Sequence, residues 1–203
     1  MKAHGWALFL VISVLGSGVA VSANPARSAE IKRIDAYVKV VRSYANRSGP
    51  QLVVADVADF DQEKPDWKKF GSVKLLDKYR EDREVYDSAN NWFRNNKLVL
   101  SVITLSSPSG DWAKYLRLYY RNDGSLAKAD SELRTFHGTV IVMQGLYFDR
   151  TGKLLKKTID VFDLATKKRR KPDSSYLSDD QADDDKLYRT TKKLPFAHVI
   201  QVR

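Results

Sequence analysis

The chain has 203 residues, a formal net charge of +10, three histidines and no cysteine. Lacking cysteine, it has no thiol catalysis, iron–sulfur cluster, cysteine zinc site or lipid anchor built on an N-terminal cysteine, and His137 and His198 alone make no metal cluster, so no cofactor is expected. The basic excess favours anionic partners (phospholipid head groups, acidic polysaccharides, nucleic acid met outside the cell) without choosing among them.

Lys2, the apolar run Trp6 to Leu15 and the small residues up to Ala23 read as a secretory signal peptide over residues 1–23. Residues 24–203 are then expected to form a single α+β domain, periplasmic or secreted, with no integral membrane segment and enough chain to bury a core without disulfides. Ser28 is placed to cap a helix over about 28–47, whose Ile31, Ile34, Val38, Val41 and Ala45 recur at three and four. Lys32, Arg33, Lys39 and Arg42 mark its other face, and Gly49 and Pro50 end it. Next to a large sheet, such a helix covers the sheet's apolar face. Leu52 to Phe60 is valine-rich enough for a strand, although its length also allows a helix. A loop follows over 61–66, and a short helix is expected from about Val73.

The middle of the chain repeats one phrase three times: Trp92-Phe93-Arg94-Asn95-Asn96-Lys97-Leu98, Tyr119-Tyr120-Arg121-Asn122-Asp123-Gly124-Ser125-Leu126, and Tyr147-Phe148-Asp149-Arg150-Thr151-Gly152-Lys153-Leu154. Two aromatics, a turn and a restarting strand describe a hairpin tip. Asp123-Gly124, read as a two-residue turn, sets Tyr120 opposite Ala127, Leu118 opposite Ala129, Tyr119 opposite Lys128 and Arg117 opposite Asp130. Turns at His137-Gly138 and Thr151-Gly152 set Leu133 by Val142, Ile159 by Gln144 and Leu155 by Phe148. These registers share one continuous apolar face. Adding the hairpin of Glu84–Arg94 and Lys97–Ser106 gives a six-stranded antiparallel meander over about 84–163. The expected fold is α+β, a curved sheet with the N-terminal helix packed on its apolar face over Ala127 and Ala129, followed by a charged loop and tail over 164–203.

The same registers place Tyr119, Lys128, Tyr147 and Lys156 side by side on the polar face, with Arg117 one step away. As a binding strip, the rings would stack on sugars or bases while the ammonium groups meet phosphate or carboxylate. As a solvent-facing ladder, each pair would add roughly 0.2–1 kcal/mol. Asp130 and Glu132 share that face at a spacing that could divide acid and base work, although Arg117 and Arg134 stand close enough to neutralise them. Ser131 and Gln144, opposed on the apolar face, are expected to satisfy each other. The basic run Lys167-Lys168-Arg169-Arg170-Lys171 is either an anion-binding loop or a solvated turn attracted to the acidic run Asp179 to Asp185. Leu194 to Ile200 reads as a tail docking on the body.

The phrases Ser107-Pro108-Ser109-Gly110-Asp111-Trp112, Tyr119 to Gly124 and Tyr147 to Leu154 resemble those of a family of uncharacterised exported bacterial proteins, over about residues 82 to 165. That resemblance implies a bacterial periplasmic or secreted setting and carries no activity. The expectation is a non-enzymatic binding protein for a protein partner or an anionic surface polymer, with nucleic acid not the expected partner and no catalytic or metal residues. The alternatives are a carrier of an apolar ligand between helix and sheet and a carboxylate-dependent hydrolase using Asp130.

Overall fold

The computed structural model describes residues 25–59, 61–173 and 187–200, so the expected signal peptide, Phe60 and the acidic run lie outside it. Helix α1 spans Pro25–Ser48 and buries Ile34, Val38, Val41 and Ala45, the stripe the periodicity predicts. It begins earlier than expected because Pro25 suits the first helical turn, where its missing N–H has no partner to lose. Ser28 therefore lies inside the helix and is not its cap.

Strands β1 (Leu52–Asp56) and β2 (Trp67–Phe70) form an antiparallel pair. Helix α2 (Val73–Asp82) follows, capped by the Ser72 hydroxyl, which accepts the Leu75 N–H at 3.3 Å. Then come β3 (Ser88–Arg94), β4 (Lys97–Ser106), β5 (Trp112–Tyr120), β6 (Leu126–Thr135), β7 (Val140–Phe148), β8 (Leu154–Asp163) and β9 (Arg169–Arg170). All lie in one curved antiparallel sheet of order β2-β1-β3-β4-β5-β6-β7-β8-β9. The expected meander is present as β3 to β8, but the sheet has nine strands and not six. The extra ones are the β1–β2 hairpin, which α2 returns alongside β3, and β9, cut from the basic run. β2 and β9 are too short to show a two-residue period.

Away from the tips, the registers follow the turn geometry: Leu118 faces Ala129, Leu133 faces Val142 and Ile159 faces Gln144. At the tips they do not, for Tyr120 faces Leu126 and Phe148 faces Leu154. Asp123-Gly124 belongs to a longer turn, in which the Gly124 N–H donates to the Arg121 carbonyl and the Arg121 N–H to the Ser125 carbonyl, both at 2.8 Å. Gly124 supplies the φ of 80° this turn needs. A bulge beside the tip then adds one residue and restores the expected pairing further along. The same bulge recurs in all three phrases, between Trp92 and Phe93, Tyr119 and Tyr120, and Tyr147 and Phe148.

On the partner strands the residues these bulges leave over are Val99, Ala127 and Leu155, and all three pack with α1. The first aromatic of each phrase joins them on the helix face, while Phe93, Tyr120 and Phe148 join a second core on the opposite face. This reverses the expected placement, since α1 covers Tyr119 and Tyr147 and not Leu118 and Ala129. The Leu118 face is covered instead by the C-terminal tail, a 3₁₀ turn Thr191–Lys193 and the short helix α3 (Ala197–Ile200). Phe196 is completely buried there, its ring 4.9 Å from that of Trp67. The tail over 194–200 thus docks on the body as its apolar sequence predicts. On the helix face, α2 covers Val53 and Ala55 with Leu76 at the far side of the sheet.

Candidate functional site

The tyrosine–lysine row exists in the register expected: Tyr119 pairs with Lys128, Lys128 with Tyr147 and Tyr147 with Lys156. It is not open to solvent along its length. Tyr119 is 1% exposed, Tyr147 7% and Lys128 9%, because α1 lies across them. Lys128 Nζ stands 4.6 Å from the Tyr147 ring centre and Lys156 Nζ 5.4 Å, so the ring is already engaged by cations. The Tyr147 hydroxyl donates to Asp35 at 2.8 Å, and Arg42 Nε donates to the Tyr119 hydroxyl at 2.7 Å. Burial raises both tyrosines above their ordinary range, with Arg42 opposing at Tyr119 and Lys128 at Tyr147. Burial also works against the Lys128 charge, but Asp130 and Tyr147 outweigh it and hold that ammonium above its usual value. The row joins helix to sheet; Lys156 is its exposed member.

Arg117 lies on the same face where the helix stops covering it, in a cleft of about 520 Å³ with Trp92, Asp130, Glu132 and Gly145. Its carboxylates are committed. Asp130 bonds Arg42 at 2.6 Å and Lys128 at 3.0 Å, while Glu132 meets Arg134 at 2.7 Å and Arg117 at 3.7 Å. Two carboxylates each held between two cations do not form an acid and base pair with separate tasks. Ser131 and Gln144 are cross-strand partners, yet Gln144 Nε2 is buried with no hydrogen-bond partner among the described atoms, contrary to expectation. The space between α1 and the sheet, where an apolar ligand would lie, is filled by Ile34, Val38 and Val41 against Val99, Tyr119 and Ala127.

The hairpin tips are different in kind. A cleft of about 600 Å³ lies between the first half of α1 and the β5–β6 and β7–β8 turns, with Arg33, Arg121 and Arg150 in its wall. A second, of about 350 Å³, shares Arg121, Asn122 and Asp123 and adds Lys97 and Lys192. Arg121 is the fixed point between them. Its Nη2 donates to the Phe148 carbonyl at 2.6 Å, its Nη1 to the Leu126 carbonyl at 2.9 Å, and Glu30 stands 3.6 Å away. Burial pushes the Arg121 guanidinium below its ordinary value; Glu30 opposes this and Arg150 adds to it.

The lining carboxylates are neutralised locally, Asp123 by Arg150 at 2.9 Å and Glu30 by Arg121 and Arg33. The Ser125 hydroxyl and N–H also donate to Asp123, and these bonds hold its carboxyl below the usual range despite some burial. Tyr37, on the wall below, is pushed up to about 12, chiefly by burial, with Arg121 and Arg94 pulling against it. Sequence reasoning did not single out this site. Its signal was inside the repeated phrase, where an arginine follows the aromatic pair at Arg94 and again at Arg121.

Among the described residues no cluster of three or more His, Cys, Asp or Glu is placed to hold a metal ion. No family model, curated protein or solved structure matches the chain.

Proposed function

We propose that this chain is a non-enzymatic binding protein that works outside the cytoplasm and holds an anionic polymer across its hairpin tips. The observation that carries this reading is the convergence of Arg33, Lys97, Arg121, Arg150 and Lys192 on two joined, open clefts whose two carboxylates are already paired. Two clefts that share Arg121, Asn122 and Asp123, one beside the helix and the other beside the tail, suit an extended chain more than a compact ligand. Arg121, buried and pinned by two backbone carbonyls, fixes the turns around which the exposed Arg33, Lys97, Arg150 and Lys192 are arrayed, which lowers the ordering cost of binding. The remaining positive charge raises the local concentration of such a polymer and speeds its capture.

The test is salt elution of the purified full chain from an immobilised sulfated polysaccharide. The triple variant Arg33→Glu, Lys97→Glu, Lys192→Glu should elute at distinctly lower salt, while Lys167→Glu with Lys168→Glu, at the other end of the sheet, should elute close to the unmodified protein. Equal elution of all three proteins would remove the hairpin tips from consideration.

A further inference from the structure

Opposite the hairpin tips, the far end of the sheet carries two aromatics that the fold leaves in water. Phe136 is 67% exposed, and beside it Trp112 is 37% exposed. Trp112 opens β5 and Phe136 follows the end of the neighbouring β6, where the Phe136 N–H donates to the Asp111 carbonyl at 3.0 Å. The turn that presents Phe136 is braced from several directions. The Thr139 N–H donates to the Phe136 carbonyl at 3.0 Å, the Leu164 N–H to the Thr139 carbonyl at 2.9 Å, and Arg170 Nη1 to the Gly138 carbonyl at 3.0 Å. Thr139 is held at a φ of 52°, a left-handed conformation that a β-branched residue keeps only when its surroundings impose it. A large apolar ring on a fixed, strained turn is being held out of the core.

The basic run comes to the same end. β9 pairs Arg169 with Phe162, and Arg170 reaches the Phe136 turn, so Lys167 to Lys171 flank the exposed aromatics. Two cations of the run are paired, Arg169 with Asp160 and Arg170 with Asp163 at 3.8 Å, while Asp163 also accepts from the Ala165 and Thr166 N–H groups and Asp111 accepts from the Ser109 hydroxyl at 2.6 Å; Lys167 and Lys168 are exposed.

We propose that this end docks on an anionic lipid surface, with Phe136 and Trp112 entering the boundary between head groups and acyl chains while Lys167 to Lys171 lie over the charged head groups. The charge complementarity selects the occupant, since a cationic segment next to projecting aromatics matches an anionic interface in which both terms act together. Neither suffices alone: a small apolar tip gives weak, reversible binding, and each Lys or Arg near an anionic leaflet adds a modest increment to it. No helix among the described residues is long and apolar enough to cross a bilayer, so this docking is peripheral. It also gives the molecule an orientation. Strands of ten residues such as β6 span roughly 30 Å, so the hairpin tips would stand about that far from the surface.

The experiment uses residues 24–203, the chain left after the expected signal peptide, with Trp92→Phe, and equimolar phosphatidylcholine and phosphatidylglycerol vesicles with brominated acyl chains. Trp67 is buried, so with Trp92 replaced quenching reports Trp112. The expected result is blue-shifted, quenched emission on these vesicles and little change on pure phosphatidylcholine. Phe136→Ser should weaken vesicle binding about tenfold and Lys167→Glu with Lys168→Glu at least about thirtyfold, each with an unchanged circular dichroism spectrum. Vesicle binding without Trp112 quenching, or binding lost only in the Arg33, Lys97, Lys192 variant, would overturn the proposal in favour of the hairpin tips. Loss of a protein contact in Phe136→Ser with unaltered vesicle binding would overturn it in favour of a protein partner.

Discussion

The Tyr44 hydroxyl donates to the Phe93 carbonyl oxygen at 2.7 Å, and Tyr37, two helical turns earlier, makes the same bond to Tyr120. Phe93 and Tyr120 hold equivalent places in successive phrases, each beside a bulge. Tyr37→Phe and Tyr44→Phe should therefore each cost about 1–2 kcal/mol, because each strands a partly buried carbonyl. Urea unfolding of both single variants and the double variant reads this directly. The losses should add, as the two sites share no partner. A loss near zero would show that water replaces the hydroxyl.

Asp87 is pushed up to about 6, first by burial and second by the Asp56 charge, with a bond from the Ser106 backbone opposing. A carboxyl raised in the folded state favours its protonated form there, so its contribution is fully present below the unfolded value and is lost as pH rises through about 6. Asp87→Asn keeps the acceptor and removes the charge. It should stabilise the protein by about 1–2 kcal/mol at pH 8, after allowance for solvent screening, and by almost nothing at pH 4. Equal denaturation midpoints at both pH values would contradict the assignment.

A Cβ built on Gly145 would lie 2.7 Å from Thr158 Oγ1 on the neighbouring strand. Threonine is stiff at χ1, so that oxygen does not swing aside freely. Gly145→Ala should cost about 1–3 kcal/mol even though alanine suits a strand better than glycine. Thr158→Ala should rescue it. A double-mutant cycle with coupling below about 0.5 kcal/mol would mean that the strands shift apart instead.

Phe196 fills the core opposite α1 from a tail that carries little regular structure. Phe196→Ala should cost about 3–5 kcal/mol and speed proteolysis of the tail at Arg189 and Lys192. A small loss would show that the sheet face is stable without its cover.

The meander and its registers were readable because turn residues fix pairing and a two-residue period fixes faces, as Leu118 opposite Ala129 and Leu133 opposite Val142 illustrate. The bulges were not readable, since one residue left over at Val99, Ala127 or Leu155 changes no periodicity that a short strand can display. The helix face was misjudged for a chemical reason. Tyr119, Lys128 and Tyr147 look polar in sequence, but their rings and methylene stems pack well while Arg42, Asp35 and Asp130 satisfy their tips. What covers a face depends on partners distant in the chain, and Phe196 to Ile200 could not be placed there from local pattern. Arg121 was legible as part of a phrase and illegible as a site, because its importance comes from Glu30 and Phe148 meeting it, and from Lys192 sharing its cleft, across three separate elements.

The interval between Tyr37 and Tyr44 has a consequence for how such a chain can grow or shrink. Seven residues of α-helix advance about 10.5 Å, and stepping across two strands covers about 9.6 Å. Helix and sheet are therefore nearly commensurate, one heptad for each hairpin, and α1 acts as a ruler laid across the tips from Phe93 to Leu155. Gaining or losing a hairpin in register would require gaining or losing a heptad in the helix. A change in one alone would leave either a bare aromatic tip or an unsupported helical turn.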